Sequence, residues 1–353
     1  MTFTPLSRAG SFCDAYDLQV PILMAPMAGA CPAALAIGVA NGGGMGACGC
    51  LLMQPDEIAA WARQMRAGSN GAFQLNIWIP DPDPLRDPAH EEQLRAFLGR
   101  WGPKVSAEDA EGILPDFDAQ CDAMLAAGPH VISSIMGVFP APFVAQMKER
   151  GIKWFATVTT VTEALAAEAA GADVIVAQGM EAGGHRGAFR ADDAARSLVG
   201  LFALLPAVVD AVRLPVVATG GIADARGVAA ALVLGAAAVQ IGTGLLRTPE
   251  ADISPVWAAA IGDALPEGTV ATRAFSGRLG RSIRTIYTDA AEEGPTPALY
   301  PIQRNITKPM RTSATGIDTM QAWAGQSARL ARAEPAASLI MMLWNETQGM
   351  FPG

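Results

Sequence analysis

Residues 170–179 read AGADVIVAQG and residues 234–242 read LGAAAVQIG, which are two variants of one pattern. In each stretch a glycine precedes a short apolar run, and a second glycine follows that run. The first glycine is typical of a helix C-terminus, and the apolar run is typical of a strand buried on both faces. The repeat therefore indicates a fold assembled from helix–strand units around a parallel sheet.

Eight short apolar runs fit this pattern, and alanine-rich helical stretches lie between them. Strands that alternate with helices predict a parallel sheet with right-handed crossovers, and eight strands favour closure. We therefore predict an α/β fold, a (β/α)8 TIM barrel. The predicted strands span residues 22–25, 45–47, 73–77, 131–134, 154–157, 174–177, 216–218 and 238–241. The clearest predicted helices span residues 55–67, 142–150, 161–170 and 224–234.

Two regions interrupt the alternation. Residues 80–118, rich in proline and charge, predict an insertion after the third strand. Residues 248–328 follow the eighth strand and predict a small, mostly helical cap over the barrel mouth. Residues 1–247 and 329–353 are then expected to form the barrel, onto which the apolar stretch 336–344 packs.

Composition and charge narrow the functional classes. A net charge of −9 without a basic cluster argues against nucleic acid as a partner. The five cysteines match neither a disulfide framework nor a zinc site, so we expect reduced core thiols and no metal. Prolines and glycines break the apolar run 20–53 into pieces too short for a membrane span, and residues 1–17 do not read as a signal peptide. We expect a cytoplasmic protein.

Glycine loops follow the last two predicted strands. Gly220 and Gly221 come after the seventh strand, and Gly242 and Thr243 come after the eighth. Loops at these positions commonly bind phosphate in α/β barrels through backbone N–H groups and a helix N-terminus. No GxGxxG motif follows the first strand, so a dinucleotide fold is not indicated. We therefore predict FMN as the cofactor.

Other strand ends carry residues suited to a flat ligand. Ala25, Pro26 and Met27 follow the first strand and allow close approach to the backbone. Asn76, at the third strand, offers both a donor and an acceptor to the edge of a heterocycle. Because active sites of such barrels lie at the carboxyl ends of the strands, these residues are expected at the cofactor.

The loop at residues 178–187 is the most informative, since it holds four glycines and one of the three histidines. His185, at the barrel mouth, is placed for proton transfer. His90 lies in the charged insertion and His130 precedes a strand, so both are interpreted as structural. Arg186 is expected to be a solvated loop arginine, and Glu181 is expected to fix the loop by hydrogen bonds.

Several stretches together resemble the nitronate monooxygenase family, formerly called 2-nitropropane dioxygenases, and its class I members in particular. The resemblance extends over nearly the whole chain, and the histidine-containing segment resembles the hallmark of the family. The stretches that carry it are residues 21–29, 41–46, 73–76, 173–187, 275–278 and 323–326.

The resemblance implies an FMN enzyme that oxidises alkyl nitronates, such as propionate 3-nitronate, with O2 to a carbonyl compound and nitrite. It implies that His185 is the catalytic base or orients the substrate. The loops and the resemblance together give the expected cofactor-binding residues Ala25, Pro26, Met27, Asn76, Gln178, Gly183, Gly184, Gly220, Gly221, Gln240, Ile241, Gly242 and Thr243.

Alternatives stay open at this point. The same glycine–histidine element resembles NAD(P)H-using flavin reductases that act on enoyl-acyl-carrier-protein or quinones, and the arginine-rich residues 273–284 are a possible phosphate site for them. A non-catalytic flavin-binding protein would not need His185. Residues 133–137 and 30–32 depart from the family pattern, which leaves the substrate open. The oligomeric state is also open, with a homodimer among the options.

Overall fold

The computed structural model describes residues 4–351. Its strands are β1 (Ile22–Met24), β2 (Gly46–Gly49), β3 (Phe73–Trp78), β4 (Val131–Ile135), β5 (Lys153–Val158), β6 (Val174–Gln178), β7 (Gly184–His185), β8 (Val216–Thr219), β9 (Ala238–Ile241), β10 (Thr269–Thr272) and β11 (Gly280–Ile283). Its α-helices are α1 (Pro5–Tyr16), α2 (Ala33–Asn41), α3 (Pro55–Gly68), α4 (Pro88–Leu98), α5 (Phe117–Ala127), α6 (Ala141–Glu149), α7 (Val161–Ala169), α8 (Leu201–Ala211), α9 (Ala225–Val233), α10 (Pro255–Asp263), α11 (Ile286–Glu292), α12 (Ile302–Ile306), α13 (Lys308–Thr312) and α14 (Ala336–Gln348).

Eight strands form a closed parallel barrel. They are hydrogen-bonded in the order β1-β9-β8-β6-β5-β4-β3-β2, and a parallel bridge between Leu23 and Met45 joins the two ends of this series. The predicted TIM barrel is confirmed, and the four predicted helices are found within one residue of their expected ends. The second strand begins later than predicted because Gly46, rather than Met45, takes up the register opposite Phe73.

The barrel interior is apolar at the amino ends of the strands and polar at their carboxyl ends. Helix α1, which the sequence analysis did not predict, covers the apolar end with Phe12 and Tyr16. The Tyr16 ring meets Phe155 edge-on at 5.1 Å between centroids. Burial of one such aromatic side chain contributes about 1.5–3 kcal/mol. Only the polar end is therefore left to accept a ligand.

The insertion and the residues after the eighth strand share one hydrophobic cluster. Leu94 and Phe97 of α4 pack with Phe275, Tyr287 and other residues of the 248–328 region. A second link to the barrel is a three-stranded antiparallel sheet in which β11 lies between β10 and β7. The chain then returns to the barrel, where α14 packs against α2 and α9, as expected for residues 336–344.

Candidate active site

A cavity of about 360 Å³ opens at the carboxyl ends of the barrel strands. It lies between the barrel loops and residues of the 248–328 region. The predicted site residues that line it are Ala25, Pro26, Met27, Asn76, Gln178, Gly183, Gly184, His185, Gly220, Gly221, Gln240, Gly242 and Thr243. Residues that are more than two hundred positions apart in sequence thus meet at one place.

Ile241 is the one predicted cofactor residue that does not line this cavity. Neighbouring side chains on a strand point to opposite faces, so Ile241 faces the helices when Gln240 faces the barrel interior. Its side chain is buried in the main core, and its carbonyl accepts a hydrogen bond from the Ala25 amide at 2.8 Å. Ile241 therefore holds the first strand end in place and does not itself face a ligand.

The predicted phosphate loops offer backbone donors. The amides of Gly221, Thr243 and Gly244 line the cavity and donate to no acceptor within residues 4–351. Gly220 and Gly221 adopt φ angles of +106° and +70°, which glycine adopts without strain. Converging free N–H groups of this kind suit an anion such as a phosphate.

The N-terminus of α9, the helix that follows β8, is capped by its own N-cap residue. The side chain of Asp224 accepts a hydrogen bond from the Gly227 amide at 3.1 Å and forms an ion pair with Arg226. The expected part of this helix end in a phosphate site stays a prediction, and the free donors in the cavity are the loop amides.

Three amide side chains form the polar floor of the cavity. Asn76 donates from Nδ2 to both the carbonyl and the hydroxyl of Ser133, which leaves its Oδ1 as an acceptor. Gln178 donates to the His185 carbonyl at 3.0 Å and accepts from the Gly187 amide at 2.8 Å. Gln178 thus fixes the histidine loop, and Gln240 is the third floor amide.

His185 lies between two aromatic rings to which the sequence analysis gave no role. Its ring centroid is 4.6 Å from that of Trp78 and 4.8 Å from that of Trp323, both in edge-on contact. Burial, followed by the charges of Arg278, Arg304 and Arg311, lowers the pKa of His185 to about 3. The imidazole is therefore neutral at physiological pH.

Ser276 sets which nitrogen of His185 carries the proton. The His185 Nε2 lies 2.7 Å from Ser276 Oγ, and this hydroxyl donates to the Arg278 carbonyl at 3.2 Å. A hydroxyl has one proton, so Ser276 accepts from Nε2–H when it donates to that carbonyl. The Nδ1 lone pair is then the basic site of the ring. Ser276 belongs to a quoted motif, but nothing in its spacing indicated contact with a residue 91 positions away.

The cavity lining carries two arginines and no aspartate or glutamate. Arg311 donates to Thr307, Gln321 and the Arg304 carbonyl, which are all uncharged acceptors. Burial and the charge of Arg304 lower the pKa of Arg311 to about 10, so it stays protonated. The Arg304 guanidinium has no hydrogen-bond or ion-pair partner within residues 4–351. This part of the cavity is therefore positive in a chain of net charge −9.

The environment of Arg186 differs from the one predicted from the sequence, whereas Glu181 has its predicted role. Arg186 is not a solvated loop residue: it is buried and donates to the carbonyls of Gln178, Thr159 and Ser197. It joins the histidine loop to its neighbours through these three carbonyls, and its Nε is buried without a hydrogen-bond partner within residues 4–351. The Glu181 carboxylate accepts from the Leu201 amide at 2.9 Å and fixes the same loop.

The arginines at residues 273–284 are mostly committed to internal contacts. Arg273 donates to two carbonyls, Arg278 is fully buried against Asp81, and Arg281 donates to the Met180 carbonyl. Arg284 is exposed and pairs with an aspartate of α11. The stretch fixes the 248–328 region to the barrel and leaves no cluster free for an external phosphate.

The remaining residues considered in the sequence lie outside the cavity. The ring of His90 bonds to the Thr296 carbonyl, and His130 packs against Phe73. All five cysteines are buried and unpaired. Within residues 4–351 no helix has both the length and the hydropathy needed to cross a bilayer.

A model of the nitronate monooxygenase family matches residues 12–346. The chain belongs to the nitronate monooxygenase family. As a member, it is a flavin-dependent oxidoreductase. It is 38% identical to a nitronate monooxygenase of Paraburkholderia phytofirmans over 341 residues, which cover 93% of this chain and 92% of that one. It is 34% identical to a probable nitronate monooxygenase of Staphylococcus aureus, with 94% and 95% covered.

Solved structures give the same relationship. A nitroalkane oxidase from Streptomyces ansochromogenes superimposes with a TM-score of 0.86 at 34% identity and covers 96% of this chain and 98% of its own. FabK from Thermotoga maritima superimposes with a TM-score of 0.76 at 28% identity, with 96% of both chains covered. The nitronate monooxygenase family thus shares this barrel, including the 248–328 region, with FabK.

Proposed function

We propose that this enzyme binds FMN and oxidises alkyl nitronates with O2 to a carbonyl compound and nitrite. The observation that carries the proposal is the charge of the cavity: a neutral His185 faces Arg304 and Arg311, and no carboxylate lines the walls. A nitronate is an anion. The two arginines attract it, and the lining holds no carboxylate that would repel it.

The choice of FMN rests on the phosphate loops and on what covers them. The free amides of Gly221, Thr243 and Gly244 suit a terminal phosphate. Beyond them, the Gly325 amide donates to Thr243 Oγ1 at 3.0 Å, and Ser327 Oγ donates to the Gly221 carbonyl at 2.6 Å. These contacts hold residues of the 248–328 region against the phosphate loops, which favours a ligand that ends at its phosphate over one that continues to an adenosine.

The chain's own residues have separable roles in this proposal. When bound, the flavin would supply the electron acceptor for the substrate and pass the electrons to O2. Arg304 and Arg311 attract and orient the anion, and Trp78 and Trp323 exclude water around His185. His185 Nδ1 would accept the α-proton of a nitroalkane, which a nitronate no longer carries, and Ser276 holds the ring in that tautomer.

The low pKa of His185 bears on the substrate form. A base with a pKa of about 3 holds a proton weakly, so removal of the α-proton of a neutral nitroalkane is unfavourable. A nitronate has already lost this proton. The site therefore supports nitronates over nitroalkanes, and the unpartnered Arg304 supports a substrate with a second anionic group, as in propionate 3-nitronate.

Oxygen consumption tests the proposal. Addition of propionate 3-nitronate to the FMN-loaded protein, without NAD(P)H, is expected to cause rapid O2 uptake with formation of nitrite. The protonated 3-nitropropionate, added before it ionises at carbon, is the matched control and is expected to react far more slowly. Absence of uptake with either compound would contradict the nitronate monooxygenase proposal.

The resemblance of the glycine–histidine element to NAD(P)H-using flavin reductases keeps such a reductase as the second candidate function. It predicts that NAD(P)H bleaches the flavin under anaerobic conditions, whereas the oxygenase predicts that the flavin stays oxidised until nitronate is added. The internal contacts of Arg273, Arg278 and Arg281 speak against a dinucleotide phosphate site there. A non-catalytic flavin-binding role predicts no turnover and no effect of His185→Ala on it.

The proposal also includes the division of the chain into a barrel and a cap and the location of the protein in the cell. Residues 1–247 and 329–353, of which 1–3 and 352–353 lie outside the described residues, would belong to the flavin-binding barrel, and residues 248–328 would form the cap that carries Arg304 and Arg311. Five buried, unpaired thiols suit a reducing compartment, which supports a cytoplasmic location.

A further inference from the structure

Gln74 is a fully buried amide beneath the floor of the cavity, two residues before Asn76 on β3. Its Nε2 lies 3.2 Å from the Met24 carbonyl oxygen and 3.1 Å from Gln240 Oε1. A backbone carbonyl can only accept a hydrogen bond, so the Gln74 nitrogen must face Met24. The orientation of the Gln74 amide is therefore set by the main chain.

This orientation fixes the next amide in turn. The Gln240 atom nearest to Gln74 Nε2 must be its oxygen, because a nitrogen there would place two donors face to face. The main chain of Gln240 is also held, since Thr219 Oγ1 donates to its carbonyl at 2.9 Å. Gln240 lines the cavity, so its Nε2 is left to face the space above.

The oxygen atom of the Gln74 amide does not stabilise the fold. Its Oε1 is buried and has no hydrogen-bond partner within residues 4–351. A buried acceptor without a partner destabilises a fold, and an apolar side chain of similar size would avoid that loss. The two N–H donors are thus the only favourable polar contacts of this side chain.

We propose that Gln74 is a positioning residue that orients Gln240 so that it presents N–H donors to the flavin. The proposal rests on the proposed function because it takes the ligand of this floor to be FMN. Asn76 presents the opposite group, an acceptor, since its Nδ2 is occupied by Ser133. The floor therefore offers a donor and an acceptor in fixed places, which suits a heterocycle edge that carries both kinds of group.

A double-mutant cycle tests whether Gln74 acts on the flavin site through Gln240, an action that we call the relay. Gln74→Met removes the donor to Gln240 but keeps a side chain of similar length, and Gln240→Leu removes the group on which it acts. The readouts are the Kd for FMN, from flavin fluorescence, and the midpoint potential of the bound flavin. Loss of one oriented hydrogen bond is expected to raise the Kd about fivefold. The potential is expected to become more negative, because donors stabilise the electron-rich reduced flavin.

The expected result is that Gln74→Met changes the Kd and the potential when Gln240 is present and changes neither in the Gln240→Leu background. Equal effects in both backgrounds, or no effect in either, would overturn the relay. Gln74→Leu repeats the test with a different apolar shape if the methionine variant does not fold. Thr347→Val on α14, which removes a buried hydroxyl distant from the cavity, is the control and is expected to leave both readouts unchanged.

These outcomes separate the relay from the proposed function. Nitronate turnover is not a readout, so the relay can fail while nitronate oxidation stands. If the unchanged protein bound no FMN, both proposals would fall. If it bound FMN but did not oxidise nitronates, the cycle would still decide the relay.

Discussion

The two halves of the cavity are built in different ways. The barrel half consists of glycine loops and amides that hold no net charge, and most of its donors are backbone groups. The cap half, from residues 248–328, supplies Ser276, Trp323 and the two arginines. Under the proposed function, the barrel half would bind the flavin and the cap half would select the substrate, so substitutions in each half should affect separate measurements.

Gly183→Ala is expected to have the largest effect, on the barrel half. An added Cβ would lie 2.5 Å from the Gly325 amide nitrogen and 2.7 Å from the Ala324 carbonyl carbon, which are both main-chain atoms. Overpacking of this kind costs about 1–3 kcal/mol, and here it falls on the loop contacts that close the phosphate site. We expect flavin content, measured by absorbance after purification, to fall about tenfold or more.

Gly10→Ala is the matched control for that variant. Gly10 lies in α1, and an added Cβ there meets nothing within 4 Å. Alanine is favoured over glycine in a helix, so the Tm is expected to rise slightly with full flavin content. Normal flavin content in Gly183→Ala would show that the barrel half tolerates closer packing than these distances imply.

Arg304→Gln is expected to have the next largest effect, on the cap half. It removes an unpartnered positive charge from the cavity and keeps a polar side chain. Loss of a hydrogen bond to a charged group costs about 1.5–3 kcal/mol, which corresponds to a fall of about 10- to 100-fold in kcat/KM for propionate 3-nitronate.

The flavin and a second substrate provide the comparison for Arg304→Gln. Flavin content is expected to stay unchanged, and ethyl nitronate, which lacks the carboxylate, is expected to lose less activity. Arg329→Gln, an exposed arginine directly after the 248–328 region, serves as the charge-matched control. Equal losses for both nitronates would contradict recognition of a second anionic group by Arg304.

The same division explains what could be predicted from the sequence. The barrel half follows from local signals, because a buried strand, its terminal glycines and His185 are adjacent in the chain. The arrangement of the cap half could not be predicted in this way, because Ser276, Arg311 and Trp323 come near His185 only through tertiary packing. Arg186 shows what sequence cannot predict for a single residue. An arginine in a glycine-rich loop is expected to be solvated, and only the fold shows that three carbonyls accept its hydrogen bonds.

Ser276→Ala is expected to have a smaller effect that acts across the two halves. Without the hydroxyl, nothing within residues 4–351 holds the proton of His185 on Nε2, so Nδ1 is basic for only part of the time. We expect kcat/KM for nitroethane, which must lose its α-proton to Nδ1, to fall about fivefold at unchanged flavin content. Ser276→Thr keeps the hydroxyl and is expected to restore most of the activity; failure of this rescue would indicate a packing role instead.

The effect expected to be smallest at neutral pH is the one on stability, because it grows only as the pH falls. Because burial and three arginines lower the pKa of His185 from 6.5 to about 3, the folded protein binds fewer protons there than the unfolded chain does. Stability from the neutral ring is thus fully present above pH 6.5 and is lost as the pH falls toward 3. His185→Gln is expected to reduce the slope of unfolding free energy with pH in this range by up to about 1.4 kcal/mol per pH unit. Denaturant unfolding of the flavin-free protein measures it, and Thr347→Val, which should lower stability equally at every pH, is the control. If His185→Gln left the slope of unfolding free energy with pH unchanged, the imidazole would not be held neutral between the two halves.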